Sequence, residues 1–117
     1  MRIVVASDHA GFCQKDVICD FVRGLGHEVE DLGPETADRV DYPDYAEKVA
    51  RAVAAGEADR GVLICGTGIG MAVAADKVAG IRAVNITSPE FAELARRHND
   101  ANVITLSGRF VSLEENE

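Results

Sequence analysis

The sequence lacks any run of basic residues, and its 12 lysines and arginines face 20 aspartates and glutamates, which gives a formal net charge of −8. Nucleic acids and anionic membranes are bound through clustered positive charge, so this composition argues against both as partners. No apolar run approaches the roughly 20 residues of a membrane span, and Asp8 and His9 come too early for a signal peptide. We therefore expect a cytoplasmic protein.

Cysteine is scarce as well: only Cys13, Cys19 and Cys65 occur, and no two of them form a Cys-X-X-Cys pair. An odd number without such a pair predicts neither a disulfide framework nor a zinc knuckle. Cys13 and Cys19 are expected only to pack. Linkers, repeats and low-complexity segments are also missing, so residues 1–117 are expected to form one domain.

Short apolar strands alternate with helical patterns along the chain, which is typical of a parallel sheet. In the first helix Ile18, Phe21, Val22 and Leu25 recur at helical spacing, so this stripe is expected to face the sheet. The pattern as a whole predicts a single three-layer α/β/α Rossmann-like domain with a five-stranded parallel sheet. The predicted strands cover residues 2–7, 27–31, 61–65, 81–86 and 102–106, and the four predicted helices cover 12–25, 44–55, 69–78 and 89–98.

The most informative segment leads from the third strand into the third helix, where Cys65 is followed by Gly66-Thr67-Gly68-Ile69-Gly70. Glycines permit a sharp turn that brings backbone N–H groups close to a ligand, and the helix start adds partial positive charge. A thiol in such a place is favoured as the nucleophilic and basic thiolate. The segment predicts an anion-binding turn with a reactive sulfur; the alternative is a structural turn with a buried, inert cysteine.

Ligands of open parallel sheets bind beyond the carboxyl ends of the strands. Asp8 and His9 follow the first predicted strand, Cys65 and Thr67 belong to the third, and Arg109 follows the fifth. We therefore expect an acid, an imidazole, a thiol, a hydroxyl and a guanidinium to converge at one edge of the sheet. Of the arginines, Arg109 is the better placed phosphate ligand.

Each of these residues also has a structural alternative. Cys65 is either a general base that abstracts a carbon-bound proton or a buried strand-end cysteine. Thr67 either relays a proton between oxygens or caps the third helix. Asp8 binds a sugar hydroxyl, orients His9 or caps the first helix, and His9 either contacts a phosphate or is a solvated loop residue. Tyr42 walls the site or belongs to the core.

His98 is predicted at the end of the fourth helix, at the sheet edge opposite the strand carboxyl ends. It would therefore serve the site of a neighbouring subunit, which ties activity to a homodimer. The alternative is a histidine that is favoured at this position by the helix dipole. The adjacent Arg96-Arg97 pair is expected to be a solvated helix end.

Five motifs occur in order, namely Ser7-Asp8-His9-Ala10-Gly11-Phe12, Asp41-Tyr42-Pro43-Asp44-Tyr45, Cys65-Gly66-Thr67-Gly68-Ile69-Gly70, Gly80-Ile81-Arg82-Ala83 and His98-Asn99-Asp100-Ala101-Asn102. With them the chain closely resembles the family of ribose-5-phosphate isomerase B, which includes galactose-6-phosphate and allose-6-phosphate isomerases. The resemblance implies aldose–ketose isomerisation of a phosphosugar through a cis-enediolate, without metal or organic cofactor. The intact Cys-Gly-Thr-Gly pattern favours the ribose 5-phosphate and ribulose 5-phosphate pair, and the other two sugars stay alternatives.

The resemblance also implies roles for individual residues. Cys65 resembles the base at carbon 2, Thr67 the proton relay, and His98 the acid that opens the furanose ring. Some members use a glutamate where this chain has Met71, which leaves Cys65 as the only credible base. The substrate-binding positions implied are Asp8 and Tyr42 for the sugar, Gly66, Gly68, Ile69 and Gly70 for the enediolate, Asn99 beside His98, and His9 and Arg109 for the phosphate.

The family continues past Ser112-Leu113-Glu114-Glu115 with a helix and an arginine-bearing tail that grips the phosphate. Either the 117 residues are a truncated form, which we favour, or phosphate binding here rests on His9 and Arg109. The loop over residues 33–40 is our hypothesis for the determinant of sugar preference. Alternatives of other classes are a non-catalytic phosphosugar-binding module and a thiol redox protein, although no resolving cysteine partner supports the latter. The implied metabolic setting is carbohydrate metabolism, with the pentose phosphate pathway or rare-sugar use.

Overall fold

Five parallel strands form a single sheet in the computed structural model, which describes residues 1–117. They are β1 (Arg2–Ser7), β2 (Glu28–Asp31), β3 (Arg60–Cys65), β4 (Ala83–Asn85) and β5 (Val103–Ser107). Their order across the sheet is β2-β1-β3-β5-β4, and every neighbouring pair is parallel. The last strand in the chain is therefore an inner strand, and β4 lies at the edge.

The helices are α1 (Phe12–Gly24), α2 (Tyr42–Ala54), α3 (Ile69–Ala75), α4 (Pro89–Asn99) and α5 (Leu113–Asn116). Helices α2 and α3 cover one face of the sheet, with Val49 and Met71 fully buried, while α1 and α4 cover the other with Ile18 and Ala95. This confirms the expected three-layer α/β/α domain with a five-stranded parallel sheet. None of the helices has the length and apolar character required to cross a membrane.

Local sequence explains where several helices begin. The Ser88 hydroxyl accepts a hydrogen bond from the Phe91 N–H, and Pro89 occupies the first helical position of α4. Pro43 fits the first turn of α2 in the same way, so α2 begins two residues before the predicted start. The four-residue α5, capped by Ser112, was not predicted, because a single turn carries no apolar periodicity.

The buried face of α1 differs from the predicted stripe. Phe21 is 37% exposed and Leu25 61% exposed, so the expectation that both face the sheet is wrong. The buried positions are instead Lys15, Ile18 and Cys19, because a lysine occupies the turn before Ile18 and is paired with a carboxylate. Cys19 packs as expected, whereas Cys13 is exposed, which corrects the expectation that it packs.

The carboxyl ends of β1, β3 and β5 are held in direct contact. The Asp8 N–H donates to the Ile64 carbonyl over 3.0 Å, and the Gly108 N–H donates to the Cys65 carbonyl over 2.7 Å. A Cβ atom at Gly11 would overlap the Ile64 carbonyl oxygen, so only glycine permits this approach. Because β1 connects outward to β2 while β3 lies on its other side, the crevice between these ends is the switch point of the sheet, where ligands of such folds bind.

Candidate active site

The Cys65 side chain lies at the end of β3 and is 5% exposed. Its sulfur accepts a hydrogen bond from the Gly68 backbone N–H over 3.1 Å. Gly68 has a left-handed φ of 88°, and a Cβ atom there would overlap the Asn85 side-chain oxygen. The glycine therefore allows a backbone donor to turn onto the sulfur.

The glycine turn also contains backbone donors that no other protein group uses. The N–H groups of Gly66, Thr67 and Gly70 donate no hydrogen bond within the chain. Such groups at the start of a helix are satisfied by water or by a bound anion. The turn therefore offers three donors beside the sulfur.

Thr67 is exposed, and its hydroxyl oxygen accepts a hydrogen bond from the Ile69 N–H over 3.1 Å. The hydroxyl therefore bonds a backbone N–H at the start of α3, but the N-cap of this helix is Gly68, so the capping alternative for Thr67 is not borne out. The hydroxyl proton is not committed by this bond, since the oxygen acts as the acceptor. A role as a proton relay is compatible with this hydrogen bond and stays a prediction.

Asp8 organises the turn that follows β1. One oxygen of its carboxylate, Oδ1, accepts from the N–H groups of Ala10 at 2.8 Å and Gly11 at 3.1 Å, while the residue is 7% exposed. His9 Nδ1 accepts from the Val40 N–H over 3.3 Å. This bond requires a bare Nδ1, so the proton of the neutral imidazole lies on Nε2, which is then a donor.

Arg109 and Tyr42 flank the glycine turn. The Arg109 side chain passes over Gly66, with Cδ 3.5 Å and Nη1 3.8 Å from the position that a Cβ atom would take. The Tyr42 ring covers Gly70 in the same way: its Cε1 is 2.8 Å and its Cζ is 3.0 Å from the position that a Cβ atom at Gly70 would take. Tyr42 is 41% exposed and Arg109 is also exposed, so neither side chain belongs to the core.

His98 and Asn99 are not brought to this site. Both are exposed in the last turn of α4, which leads to the amino end of β5, at the opposite edge of the sheet. The Asn99 carbonyl accepts from the Arg82 Nε over 2.5 Å. Arg97 pairs with Glu93 on the surface of the same helix, as expected of a solvated helix end, whereas Arg96 donates to the Ala101 carbonyl and pairs with Asp100. Within one chain, His98 and Cys65 therefore belong to different edges.

Two buried hydroxyl groups of β5 support the glycine turn and were missed in the sequence. Thr105 Oγ1 donates to the Gly68 carbonyl over 2.7 Å, and Ser107 Oγ donates to the Gly66 carbonyl over 2.7 Å. The sequence feature that could have revealed them is the alternation of polar and apolar residues over 103–107, because an inner strand of a parallel sheet is usually apolar throughout. No group of three or more His, Cys, Asp or Glu side chains is arranged to hold a metal ion.

Comparison with known proteins identifies the family. The model of the family described as Ribose/Galactose Isomerase matches residues 3–117. The chain belongs to this family. It is 50% identical to ribose-5-phosphate isomerase B of Escherichia coli strain K12 over 113 residues, which are 97% of this chain and 76% of that relative.

Solved structures of this isomerase family have the same fold. Ribose-5-phosphate isomerase B of Clostridium thermocellum superposes with a TM-score of 0.97 at 48% identity, covering 99% of this chain and 78% of that one. The Mycoplasma genitalium enzyme, solved with bound ribulose-5-phosphate, gives a TM-score of 0.93 at 45% identity. The match covers 98% of this chain and 77% of that one. The expected family is thus confirmed, and the chain spans about three quarters of the length of these relatives.

Proposed function

We propose that this chain is an aldose–ketose isomerase that interconverts ribose 5-phosphate and ribulose 5-phosphate. The observation that carries the proposal is the Gly68 N–H directed at the Cys65 sulfur, inside a turn with three further unused donors. Family membership and the relatives named ribose-5-phosphate isomerase B support the same reaction. We place the reaction in the pentose phosphate pathway and in the cytoplasm.

In this mechanism the Cys65 thiolate removes the proton from carbon 2 of the open-chain aldose. The electron pair of that bond forms the carbon–carbon double bond of a cis-enediolate, and negative charge develops on the carbonyl oxygen. Cys65 then returns a proton to carbon 1, which gives the ketose, so the overall reaction is redox neutral. The Gly68 N–H holds the sulfur in place on one face of the substrate and favours its anionic form as a hydrogen-bond acceptor.

The enediolate oxygens are held by the backbone donors of the turn. Charge develops on these oxygens only as the proton leaves carbon 2, so donors fixed beside them favour the transition state over the substrate. The N–H groups of Gly66 and Gly70 are free for this purpose. Thr67, whose hydroxyl proton is uncommitted, moves the proton between the two oxygens.

The rest of the substrate is bound by side chains around the turn. His9 Nε2 and the Arg109 guanidinium contact the phosphate, because both present N–H donors at the carboxyl edge of the sheet. Asp8, whose second oxygen has no protein donor, and Tyr42 contact sugar hydroxyls.

A second subunit completes the site. His98 is the acid that opens the furanose ring and Asn99 assists it, but both lie at the wrong edge of their own chain. Ile69 and Val73 lie one turn apart on α3, are 57% and 58% exposed, and flank the glycine turn. These apolar side chains suit contact with a second copy, so we propose a homodimer, or a tetramer made of two such dimers, with shared sites.

The decisive experiment measures conversion of ribose 5-phosphate to ribulose 5-phosphate by the chain and by Cys65→Ala, with the exposed Cys13→Ala as the matched control. We expect loss of at least ~1000-fold in kcat for Cys65→Ala, since no other base is placed at the turn, and near-normal turnover for Cys13→Ala. Binding of ribose 5-phosphate without turnover by the unaltered chain would instead identify a phosphosugar-binding module. Faster turnover of allose 6-phosphate or galactose 6-phosphate would reassign the substrate.

A further inference from the structure

Lys15 is a charged residue in the interior of the protein. It lies one turn into α1, is 2% exposed, and occupies a position in the stripe that packs on the sheet. Its Nζ is 2.6 Å from Asp31 Oδ2 and 3.7 Å from Asp16 Oδ1, and it stands 5.4 Å from the centre of the Phe12 ring. A buried ammonium group is costly unless it is paired, so its retention at this position requires an explanation.

The partner of Lys15 leads to the loop beside the proposed site. Asp31 is the last residue of β2, and its other oxygen, Oδ1, accepts from the Gly33 N–H over 2.8 Å. The Gly33 carbonyl in turn accepts from the Ser7 N–H over 3.0 Å. Both oxygens of one carboxylate are thus used, one by the ammonium group and one by the first turn of the loop over residues 32–41.

These contacts close a ring of interactions around the turn that carries Asp8 and His9. The Lys15 N–H donates to the Gly11 carbonyl over 3.1 Å, and the Gly11 N–H donates to Asp8 Oδ1. The ring therefore runs from Ser7 through the turn to Lys15, across the ion pair to Asp31, and through Gly33 back to Ser7. Without the ammonium group, the part-buried Asp31 carboxylate would lose its counter-charge, and the start of the loop would lose its anchor.

The far end of the same loop sets the state of His9, because the Val40 N–H donates to His9 Nδ1. We infer that Lys15 is a positioning residue, which fixes the loop over residues 32–41 through its ion pair with Asp31. The Val40 N–H then stays hydrogen-bonded to His9 Nδ1, and the His9 Nε2–H faces the phosphate. The placement of the phosphate rests on the proposed function, whereas the placement of the loop and of the His9 proton does not.

The first test reads the His9 proton directly. Nitrogen-15 NMR of the imidazole rings distinguishes the two neutral tautomers, and His27 and His98 provide internal references. We expect His9 to carry its proton on Nε2 in the unaltered chain and to become a mixture of tautomers in Lys15→Met, with the two reference rings unchanged. Lys77→Met, which removes an exposed lysine whose side chain has no polar partner, should leave all three rings unchanged.

The second test measures KM and kcat for Lys15→Met, for Asp31→Asn and for the double variant that combines the two substitutions. We expect KM for ribose 5-phosphate to rise about tenfold in Lys15→Met and in Asp31→Asn, the loss of roughly one charge-assisted hydrogen bond, while kcat changes less than about threefold. The double variant should be no worse than either single one, because both act through one contact. Lys15→Arg, which keeps the charge, should recover most of the affinity and replaces Lys15→Met if that variant does not fold.

An unchanged His9 tautomer in Lys15→Met, or a lowered thermal stability with KM unchanged, would overturn the inference and leave Lys15 a purely structural residue. Lack of isomerase activity in the unaltered chain would overturn the proposed function instead. In that case the NMR arm, together with binding of inorganic phosphate, still decides whether Lys15 controls His9.

Discussion

The backbone N–H of Gly68 and the sulfur of Cys65 are joined by a hydrogen bond of 3.1 Å, so the environment of the sulfur depends on the conformation of a residue three positions further along the chain. That conformation is left-handed, and the space that a side chain would need is occupied by Asn85. The sulfur is thus contacted by a backbone group that only glycine can present in this way.

Gly68→Ala is expected to lower kcat/KM by about 100-fold, the effect of losing one donor from a charge-stabilising site. Gly80→Ala is the matched control, because Gly80 has the same φ of 88° but open space around its Cβ position. Gly80→Ala introduces only the strain of a left-handed alanine, which should lower the free energy of unfolding by about 1 kcal/mol, and the variant should retain activity. Steady-state kinetics and urea denaturation separate the two effects, and equal activity in both variants would contradict the prediction.

Thr67→Val and Thr67→Ser separate the hydrogen bond with the Ile69 N–H from the proposed proton relay. Valine keeps the shape but removes the acceptor of the Ile69 N–H, so about 1 kcal/mol of stability should be lost. If Thr67 also relays the proton, kcat should fall by at least ~10-fold in Thr67→Val and stay near normal in Thr67→Ser. A Thr67→Val enzyme that is less stable but has unaltered kcat would show that Thr67 only stabilises the turn.

Burial and the nearby Asp31 carboxylate raise the pKa of Cys19 from 9.0 to about 11. The unfolded chain therefore releases the Cys19 proton at lower pH than the folded chain does. The contribution of this thiol to the free energy of unfolding is fully present below pH 9 and is lost as the pH rises towards 11. By about pH 10 the loss should be roughly 1 kcal/mol in the free energy of unfolding.

Denaturant titrations at pH 8 and at about pH 10 should therefore show a smaller decline for Cys19→Ala than for the unaltered chain. Native alkylation with iodoacetamide provides an independent check, because Cys13 is exposed and Cys19 is buried. Modification of Cys13 but not of Cys19 at pH 8, identified by mass spectrometry of peptides, is the expected result. Rapid labelling of Cys19 would mean that its surroundings are more open than described.

Gly24→Ala should stabilise the protein by about 0.5–1 kcal/mol. Gly24 is the last residue of α1, and a Cβ atom there meets nothing within 4 Å, so alanine reduces the freedom of the unfolded chain without a steric cost. Gly26→Ala is the comparison, since it also meets open space but has a φ of 95° and should destabilise. Melting temperatures that shift in the same direction for both would refute this account.

Much of the proposed site could be predicted from local sequence. The end of a strand is recognisable where an apolar run meets polar residues, and the parallel architecture then collects Asp8, His9, Cys65 and Arg109 at one edge. The misplaced position of His98 followed from the same rule, because a helix between parallel strands must end at the opposite edge. These inferences need only the alternation of strands and helices.

Other features depend on contacts between distant residues. Lys15 resembles a solvent-facing residue until it is seen with Asp31, 16 positions away, so the sequence suggested Phe21 and Leu25 for the buried stripe instead. Likewise, nothing local reveals that β5 lies between β3 and β4, or that its hydroxyls hold the glycine turn.

The inner position of β5 also has a consequence for the order of assembly during synthesis. β4 pairs with no strand except β5, and β3 has β5 as its neighbour on that side. On the ribosome, where the chain emerges from its N-terminus, β1, β2 and β3 can pair early, while β4 waits without a partner until residues 103–107 have left the exit tunnel. The edge of β3 next to the glycine turn therefore stays open until β5 has emerged, and β5 then closes the five-stranded sheet and carries Arg109 into place.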